Sequence, residues 1–192
     1  MIQKDYLKFL ESESKNFKNK DIFDIVLYGS LIKGKIEARD IDILLIFHEK
    51  SLKERAEIAR EFKEKISEKI NSLDIKTINL LELFESDFLA RQSILAEGYS
   101  LISNIPLSEK IGFLSYALFT YNLKNLNHNE KTKFIYSLIG RNKSPGILKK
   151  LNANPLGKGV ILLPINNSSI FEDFLKKWKI NYVKKNILIS EL

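Results

Sequence analysis

The sequence of 192 residues contains no cysteine. This absence excludes disulfide bonds, cysteine-ligated zinc and thiol nucleophiles, and it favours a reducing compartment. No apolar run reaches the roughly 18 residues that a membrane span requires. The charged start, MIQKDYLKFLESESK, is not typical of a signal peptide. The sequence therefore predicts a cytoplasmic protein without a membrane partner.

Glycine and proline are scarce, with 8 and 4 residues, and histidine occurs only twice. With 44% hydrophobic and 29% charged residues, the composition is that of a folded globular protein rather than a disordered one. His48 and His128 have no sequence neighbours that would suggest a metal site or a Ser-His-Asp triad. The length fits one large domain or two small ones.

The net charge of +7 is unevenly distributed. Residues 1–100 contain 17 Lys and Arg against 19 Asp and Glu, a balance of −2, whereas residues 101–192 contain 14 against 5, a balance of +9. A basic half attracts polyanions such as nucleic acid; the alternative is a general bias of this sequence toward Lys, Asn and Ile. The candidate residues for touching a polyanion are Arg141, Lys143, Lys149, Lys150 and Lys158.

Hydrophobic periodicity predicts the order helix, strand, strand, helix, strand, helix in the first half of the chain. The predicted elements are a helix over 3–18, strands over 22–28 and 41–47, a helix from Ser51 to about Asn71, a strand over 73–80, and one or two helical pieces over 81–98. The apolar run 41–47 is typical of a strand covered on both faces.

The second half is predicted to be α+β. The pattern indicates a β-prone segment over 116–123 (a helix is the alternative), helices over 129–140 and 169–179, and strands over 160–165 and 181–190. Asn129 is the expected cap of the first of these helices, and Ser169 with Glu172 form an expected capping box for the second. Trp178 is interpreted as a core residue. We place a domain boundary between residues 105 and 106.

Two aspartates stand at the start of the strand 41–47. In a strand, residues i and i+2 point to the same face, so Asp40 and Asp42 are expected to leave the sheet together. Paired hard oxygen ligands suit Mg²⁺, which binds one or two carboxylates together with phosphate oxygens. A solvated strand entrance is the alternative for this pair taken alone. Asp24 and Glu37, which lie nearby in the sequence, are predicted to be surface or capping residues.

The residues before these aspartates suit a phosphate group. Gly29 allows close approach to the backbone, and the Ser30 hydroxyl with the amides after it can donate to phosphate oxygens. Three cations in the loop, Lys33, Lys35 and Arg39, can neutralise a triphosphate. A plain strand–helix turn and a solvated loop are the alternatives.

A third carboxylate opens the next strand, in LDIKTI over 73–78. If strands 41–47 and 73–79 are neighbours, Asp74 reaches the same site as Asp40 and Asp42. Three carboxylates can hold two metal ions, one to orient a triphosphate and one to activate an attacking hydroxyl.

The stretch YGSLIKGKIEARDIDILLIF over 28–47 resembles the signature of the DNA polymerase β-type nucleotidyltransferase superfamily. Gly29 and Ser30 match its first part, nine residues (31–39) form the spacer, and Asp40 and Asp42 match its second part. The strand that begins at Asp74 is similar to the third-carboxylate strand of the superfamily. Arg39 stands where many relatives have a small polar residue.

This resemblance implies a fold, a reaction and a site. The fold is a nucleotidyltransferase-type mixed sheet with flanking helices over 1–105, followed by a smaller α+β domain, 106–192, that selects the acceptor. The reaction is transfer of a nucleoside monophosphate from an NTP, ATP being favoured, with release of pyrophosphate. Asp40, Asp42 and Asp74 are implied to bind two Mg²⁺ ions, with Mn²⁺ as a substitute. The implied nucleotide-binding residues are Gly29, Ser30, Lys33 and Arg39.

Other functions stay open at this stage. The acceptor can be RNA, a protein hydroxyl or a small molecule, and the basic second half favours RNA. A different class of function is a nucleotide-binding regulatory or antitoxin-like protein with little or no transfer. A third is a basic nucleic-acid-binding module with a vestigial catalytic core. The sequence does not predict an oligomeric state.

Overall fold

The computed structural model describes residues 2–29, 32, 41–70, 72–141 and 144–190, with side chains of the first helix from residue 6 onward. The chain divides into two units, Met1–Gly112 and Phe113–Leu192. The division predicted after residue 105 lies a few residues earlier, within a strand of the first unit. Each unit has its own sheet and its own apolar core.

The first unit alternates helices and strands in the predicted order. Its elements are α1 Ile2–Phe17, β1 Ile22–Tyr28, β2 Ile41–Phe47, α2 Leu52–Ser67, β3 Leu73–Asn79, a 3-10 turn Leu81–Phe84, α3 Arg91–Glu97, β4 Tyr99–Ser100, β5 Ile105–Pro106 and α4 Leu107–Lys110.

The sheet of the first unit is mixed. Its strand order is β3-β2-β1-β4-β5. Strands β2 and β3 run parallel, and the other neighbouring pairs are antiparallel. The parallel pair requires a crossover, which α2 supplies between the two strands. A mixed sheet with flanking helices confirms the predicted fold class.

Both faces of β2 are covered, as its apolar run predicts. Ile43, Leu45 and Phe47 pack on one side with Phe62 and Ile66 of α2. Leu44 and Ile46 pack on the other with residues of β1, β3, the 3-10 turn, α3 and α4. Burying each of these large side chains contributes roughly 1.5–3 kcal/mol. This two-sided burial fixes the position of the polar residue at the start of the strand, Asp42.

A capping box starts α2, in agreement with the sequence pattern. The Ser51 hydroxyl accepts the Glu54 backbone N–H, and the Glu54 carboxylate accepts the Ser51 N–H at 3.0 Å. The Ser51 hydrogen bonds, assisted by Lys50, lower the pKa of Glu54 to about 2. The helix ends at Ser67, before the predicted end near Asn71.

Asp24 corrects the expectation of a surface or capping role. Its side chain is fully buried in the middle of β1. Ser100 donates its hydroxyl proton to one carboxylate oxygen at 2.8 Å, and Lys110 donates to the other at 2.8 Å. The ammonium of Lys110 also lies over the Phe23 ring, 4.7 Å from its centroid. This buried ion pair connects β1 to β4 and α4.

The second unit is α+β, also as predicted. Its elements are β6 Phe113–Tyr121, α5 His128–Ile139, β7 Gly140–Arg141, β8 Ser144–Pro145, α6 Ile147–Lys150, β9 Asn154–Gly157, β10 Val160–Pro164, a 3-10 turn Ile165–Asn167, α7 Ser168–Lys177 and β11 Tyr182–Ser190. The sheet order is β11-β6-β10-β9, and every neighbouring pair is antiparallel. The β-prone segment is therefore a strand.

Aromatic rings fill the core of the second unit. Phe119 of β6 meets Phe171 of α7 edge-on at 5.0 Å. Phe134 of α5 contacts Trp178 at 5.5 Å, which confirms that Trp178 packs against the core. Each such ring pair contributes about 0.5–1.5 kcal/mol of stability beyond the contribution from burying its apolar area.

Two predicted caps of the second unit were wrong. Helix α5 is capped by Asn127 instead of Asn129, because Asn127 forms a capping box with Glu130 over 2.8 and 2.9 Å. Helix α7 begins at Ser168 without a side-chain cap. Glu172, expected in a capping box, instead pairs with Lys184 at 3.2 Å.

Within the described ranges, every helix is too short or too polar to cross a bilayer.

Candidate active site

Three polar side chains form a row across the first sheet. Asp42 of β2 is in register with Asp74 of β3, and on its other side Asp42 is opposite Tyr28 of β1. Residues in register on neighbouring strands point to the same face, and adjacent strands lie about 4.8 Å apart. The register therefore confirms the expectation that strands 41–47 and 73–79 are neighbours, and it brings Asp42 and Asp74 side by side.

Strand direction explains why both carboxylates stand at one end of the sheet. Each is the second residue of its strand, and the two strands are parallel. Beyond Asp42 the strand is buried, whereas the Asp74 side chain is 48% exposed on the edge strand. The row is thus anchored by an apolar strand and open to solvent on the β3 side.

Gly29 lies against the Asp42 carboxylate. Its φ is +81°, in the region that favours glycine. A Cβ at this position would overlap Oδ2 of Asp42 and stand 2.9 Å from its Cγ. The residue after β1 must therefore be glycine for both a conformational and a steric reason, which gives the Gly of the signature a structural role next to the carboxylate.

Lys76 joins the row from β3. Its Nζ is 3.5 Å from Oδ2 of Asp74, and its charge also acts on the Tyr28 phenol. Tyr28 and, next in size, Asp74 raise the pKa of Lys76. Burial raises the pKa of the Tyr28 phenol; Asp42 and Asp74 add to this rise and Lys76 opposes it. Both shifts favour a neutral phenol at Tyr28 and an ammonium at Lys76.

The sequence reasoning missed Lys76 and Tyr28. Lys76 follows Asp74 by two residues in a strand, so alternation could have placed both on one face. Tyr28 could be found only from the register between β1 and β2. The spacing of the aspartates alone therefore predicts neither Lys76 nor Tyr28 as a neighbour of the site.

Several predicted site residues lie outside the described residues. These are Ser30, Lys33, Arg39 and Asp40, together with Lys35 and Glu37. Of the predicted site, the structure describes Gly29, Asp42 and Asp74, and it brings these three together. Ile32, which is described, packs against the apolar core below the sheet.

The described carboxylates suit a divalent cation in part. Asp42 and Asp74 offer hard oxygen donors on one face, the ligand type that Mg²⁺ prefers. In the part of the chain that the structure describes, no group of three or more His, Cys, Asp or Glu side chains forms a metal cluster. The donor chemistry fits Mg²⁺, with two carboxylates placed and Asp40 as the predicted third.

Comparison with known proteins agrees with this geometry. Residues 13–106 match the family model for polymerase beta nucleotidyltransferases, a range that contains Gly29, Asp42 and Asp74. No curated protein matched the chain.

Two solved structures show limited likeness. One chain in a structure of the tri-AMPylated Shewanella oneidensis HEPN toxin in complex with MNT antitoxin is 18% identical with a TM-score of 0.37, and the match covers 57% of this chain and 78% of that chain. A chain in a structure of a toxin-antitoxin with AMP-PNP is 18% identical with a TM-score of 0.35, covering 49% and 71%. These scores are too low to establish a shared overall fold.

The range matched by the family model contains the carboxylate row. Residues 13–106 are a nucleotidyltransferase domain of the polymerase β superfamily, and nucleotidyl transfer is the class of chemistry to which this domain belongs.

Proposed function

We propose that this chain transfers a nucleoside monophosphate from an NTP, with ATP as the first candidate, to an acceptor hydroxyl. The observation that carries the proposal is the row in which Asp42 and Asp74 stand in register, with Gly29 against Asp42, inside the family-matched range. In the reaction, the acceptor oxygen forms a bond to the α-phosphorus as the bond to the β-phosphate oxygen breaks. Pyrophosphate leaves.

The residues of this chain bind and orient both reactants. The glycine turn at Gly29 lets the triphosphate approach the backbone, and we assign the β- and γ-phosphates to Gly29 and Ser30. Lys33 and Arg39 neutralise the phosphates. Asp74, on the solvent-open side of the row, takes the proton from the acceptor hydroxyl.

Asp40, Asp42 and Asp74 would hold the metal ions of this reaction, one or two Mg²⁺ with Mn²⁺ as a substitute. When bound, such ions supply the positive charge that aligns the triphosphate and lowers the pKa of the attacking hydroxyl. The protein's contribution is a rigid β2, buried on both faces, which keeps Asp42 in place beside Asp74.

The second half of the chain, 106–192, is proposed to select the acceptor. Residues 113–192 contain 13 Lys and Arg against 4 Asp and Glu, a balance of +9. This excess favours RNA over a protein or a small molecule as the acceptor, because phosphate contacts supply most of the affinity for nucleic acids. We propose the cytoplasm as the site of the reaction, since a chain without cysteine suits a reducing compartment.

Label transfer tests the proposal. The full chain is incubated with each α-labelled NTP, Mg²⁺ and either cellular RNA or cellular protein, beside Asp42→Asn and Asp74→Asn. We expect label in the RNA fraction with ATP, lost by at least about a hundredfold in both variants, since losing one preorganised electrostatic contact to a transition state typically costs about 2.7 kcal/mol or more.

Other outcomes decide between the remaining functions. Label in the protein fraction would keep the chemistry and replace the acceptor. Nucleotide binding without transfer to any fraction would favour the regulatory, antitoxin-like alternative. Transfer that survives Asp74→Asn would overturn the assignment of Asp74 as the third carboxylate.

A further inference from the structure

Lys76 lies on the edge strand β3, on the same face as Asp74. Its neighbour in register is Leu44, which is fully buried, and the residue two positions before it is Asp74. The alternation of β3 puts Asp74, Lys76 and Ile78 on one face. Ile78 packs into the apolar cluster on that face, whereas the Lys76 side chain is 61% exposed.

The ammonium of Lys76 forms an ion pair with the carboxylate row. It stands 3.5 Å from Asp74 on its own strand. Tyr28 of β1 and Asp42 of the intervening strand also interact with it electrostatically. Among the described residues, Lys76 is the cation in ion-pair contact with Asp74. Its charge therefore lies next to the carboxylate row.

We propose that Lys76 is a positioning residue that acts as a built-in counter-ion of the carboxylate row. It competes with a divalent cation for Asp74, so that a free cation binds weakly. Phosphates of an arriving nucleotide offer the ammonium a second partner and free Asp74 for the cation. Cation and nucleotide then bind with positive coupling that passes through Lys76.

Electrostatics support this order of binding. Two carboxylates in register on neighbouring strands repel each other unless a positive charge lies near them. Binding of a divalent cation to Asp74 is weakened while the Lys76 ammonium stays at the same carboxylate, because the two positive charges repel each other. A lysine side chain has four rotatable methylene groups and three donors, so it can exchange a carboxylate for a phosphate without movement of the strand.

Cation affinity tests the proposal without transfer activity. Mn²⁺ is titrated into the full chain by calorimetry for wild type, Lys76→Met and Lys76→Arg, first alone and then with a non-hydrolysable ATP analogue. We expect Lys76→Met to bind Mn²⁺ alone about two- to fivefold more tightly, the size of an exposed ion pair. Lys76→Arg keeps the charge and is expected to retain wild-type affinity. The analogue should enhance Mn²⁺ binding less in Lys76→Met than in wild type.

Lys65→Met is the matched control. Lys65 pairs with Glu13 of α1 at 3.1 Å, on the helices that pack against the other face of the sheet. The Lys65→Met variant loses the same charge as Lys76→Met and should leave Mn²⁺ affinity unchanged. Unchanged or weaker Mn²⁺ binding in Lys76→Met, with a wild-type circular dichroism spectrum, would overturn the proposal.

The proposal rests on the proposed function only in taking Asp42 and Asp74 as cation ligands. If Mn²⁺ binds more tightly to Lys76→Met but no acceptor is ever labelled, the counter-ion role stands and the transferase function fails. If acceptors are labelled and Mn²⁺ affinity does not respond to Lys76→Met, the function stands and the counter-ion role fails.

Discussion

At the scale of single residues, Gly29 lies against the row at Asp42 and has no space for a side chain. It has a positive φ, and a Cβ would overlap the Asp42 carboxylate. We expect Gly29→Ala to weaken binding of the ATP analogue by at least tenfold, because Asp42 or the turn must move, where a tenfold loss is about 1.4 kcal/mol. Calorimetric titration of the analogue with Mg²⁺ measures this effect.

Gly112 and Gly157 serve as controls that separate the effect of a positive φ from the effect of a steric clash. Gly112 has a φ of +84° but nothing within 4 Å of an added Cβ, and Gly157 has open space without the positive φ. Gly112→Ala should cost about 1–2 kcal/mol of stability from the backbone alone and leave nucleotide binding intact. Gly157→Ala should change neither. Wild-type binding by Gly29→Ala would show that the glycine is not a part of the site.

Residues also show where sequence reasoning succeeds and where it fails. Asp42 and Asp74 follow from alternation and from two apolar strands that each have an aspartate in second position. Asp24 could not be found in this way, because Ser100 and Lys110 lie 76 and 86 positions further along the chain. A local pattern contains no information about partners so distant.

Among the secondary-structure elements, the ion pair of Asp24 and Lys110 holds β1 to α4. Lys110→Met would leave a buried carboxylate without its cation, and we expect it to lower the free energy of unfolding by about 3 kcal/mol. Asp24→Asn/Lys110→Met should recover part of that loss, because no charge is then buried. Urea unfolding followed by far-ultraviolet circular dichroism measures both variants. A loss for Lys110→Met as small as that of the surface variant Lys65→Met would contradict the structural role of the pair.

The start of α2 has a pH dependence that follows from its capping box. The pKa of Glu54 is lowered from 4.5 to about 2, so its contribution to stability is fully present above 4.5 and is lost as the pH falls toward 2. Carbon-13 shifts of the Glu54 carboxylate against pH should therefore show a midpoint near 2. Ser51→Ala removes the largest cause and should raise that midpoint. A wild-type midpoint at the ordinary value would show that the box does not form in solution.

Helices and strands are predictable from the sequence where a single local pattern, such as an apolar run or a capping box, determines them. The two-sided burial of β2 and the capping box of α2 follow from their own residues. The cap of α5 was misplaced because Asn127 and Asn129 are both suitable residues, and only the position of Glu130 three residues after Asn127 decides between them. The cap expected at Ser169 does not form, because α7 already begins at Ser168, and Glu172 pairs with Lys184 on a strand that follows later in the sequence.

For the whole molecule, the two units differ in net charge. The first, with 18 Lys and Arg against 20 Asp and Glu, has a balance of −2, and the second has +9. Within the second unit, Lys176 and Lys184 are paired with Glu172. Among the described residues, no carboxylate forms an ion pair with Lys149 or Lys150 of α6. Unpaired cations are the ones available to phosphates.

Salt dependence of RNA binding tests this difference. We expect the full chain to bind single-stranded RNA with an affinity that falls as salt rises, and Lys149→Ala/Lys150→Ala to make the log–log slope shallower by about 1.4, or about 0.7 for each phosphate contact. Lys176→Ala/Lys184→Ala removes the same charge from paired positions and should change the slope much less. Equal changes in both variants would indicate an unspecific effect of net charge.

The most direct test of nucleotidyl transfer at the Asp42–Asp74 row compares ATP labelled at the α-phosphate with ATP labelled at the γ-phosphate. Both are incubated with the full chain, Mg²⁺ and RNA, beside Asp74→Asn. We expect α-label in the RNA, γ-label released in pyrophosphate in equal amount, and neither with Asp74→Asn. Label from the γ-phosphate in the acceptor, or undiminished α-label transfer by Asp74→Asn, would contradict nucleotidyl transfer at this row.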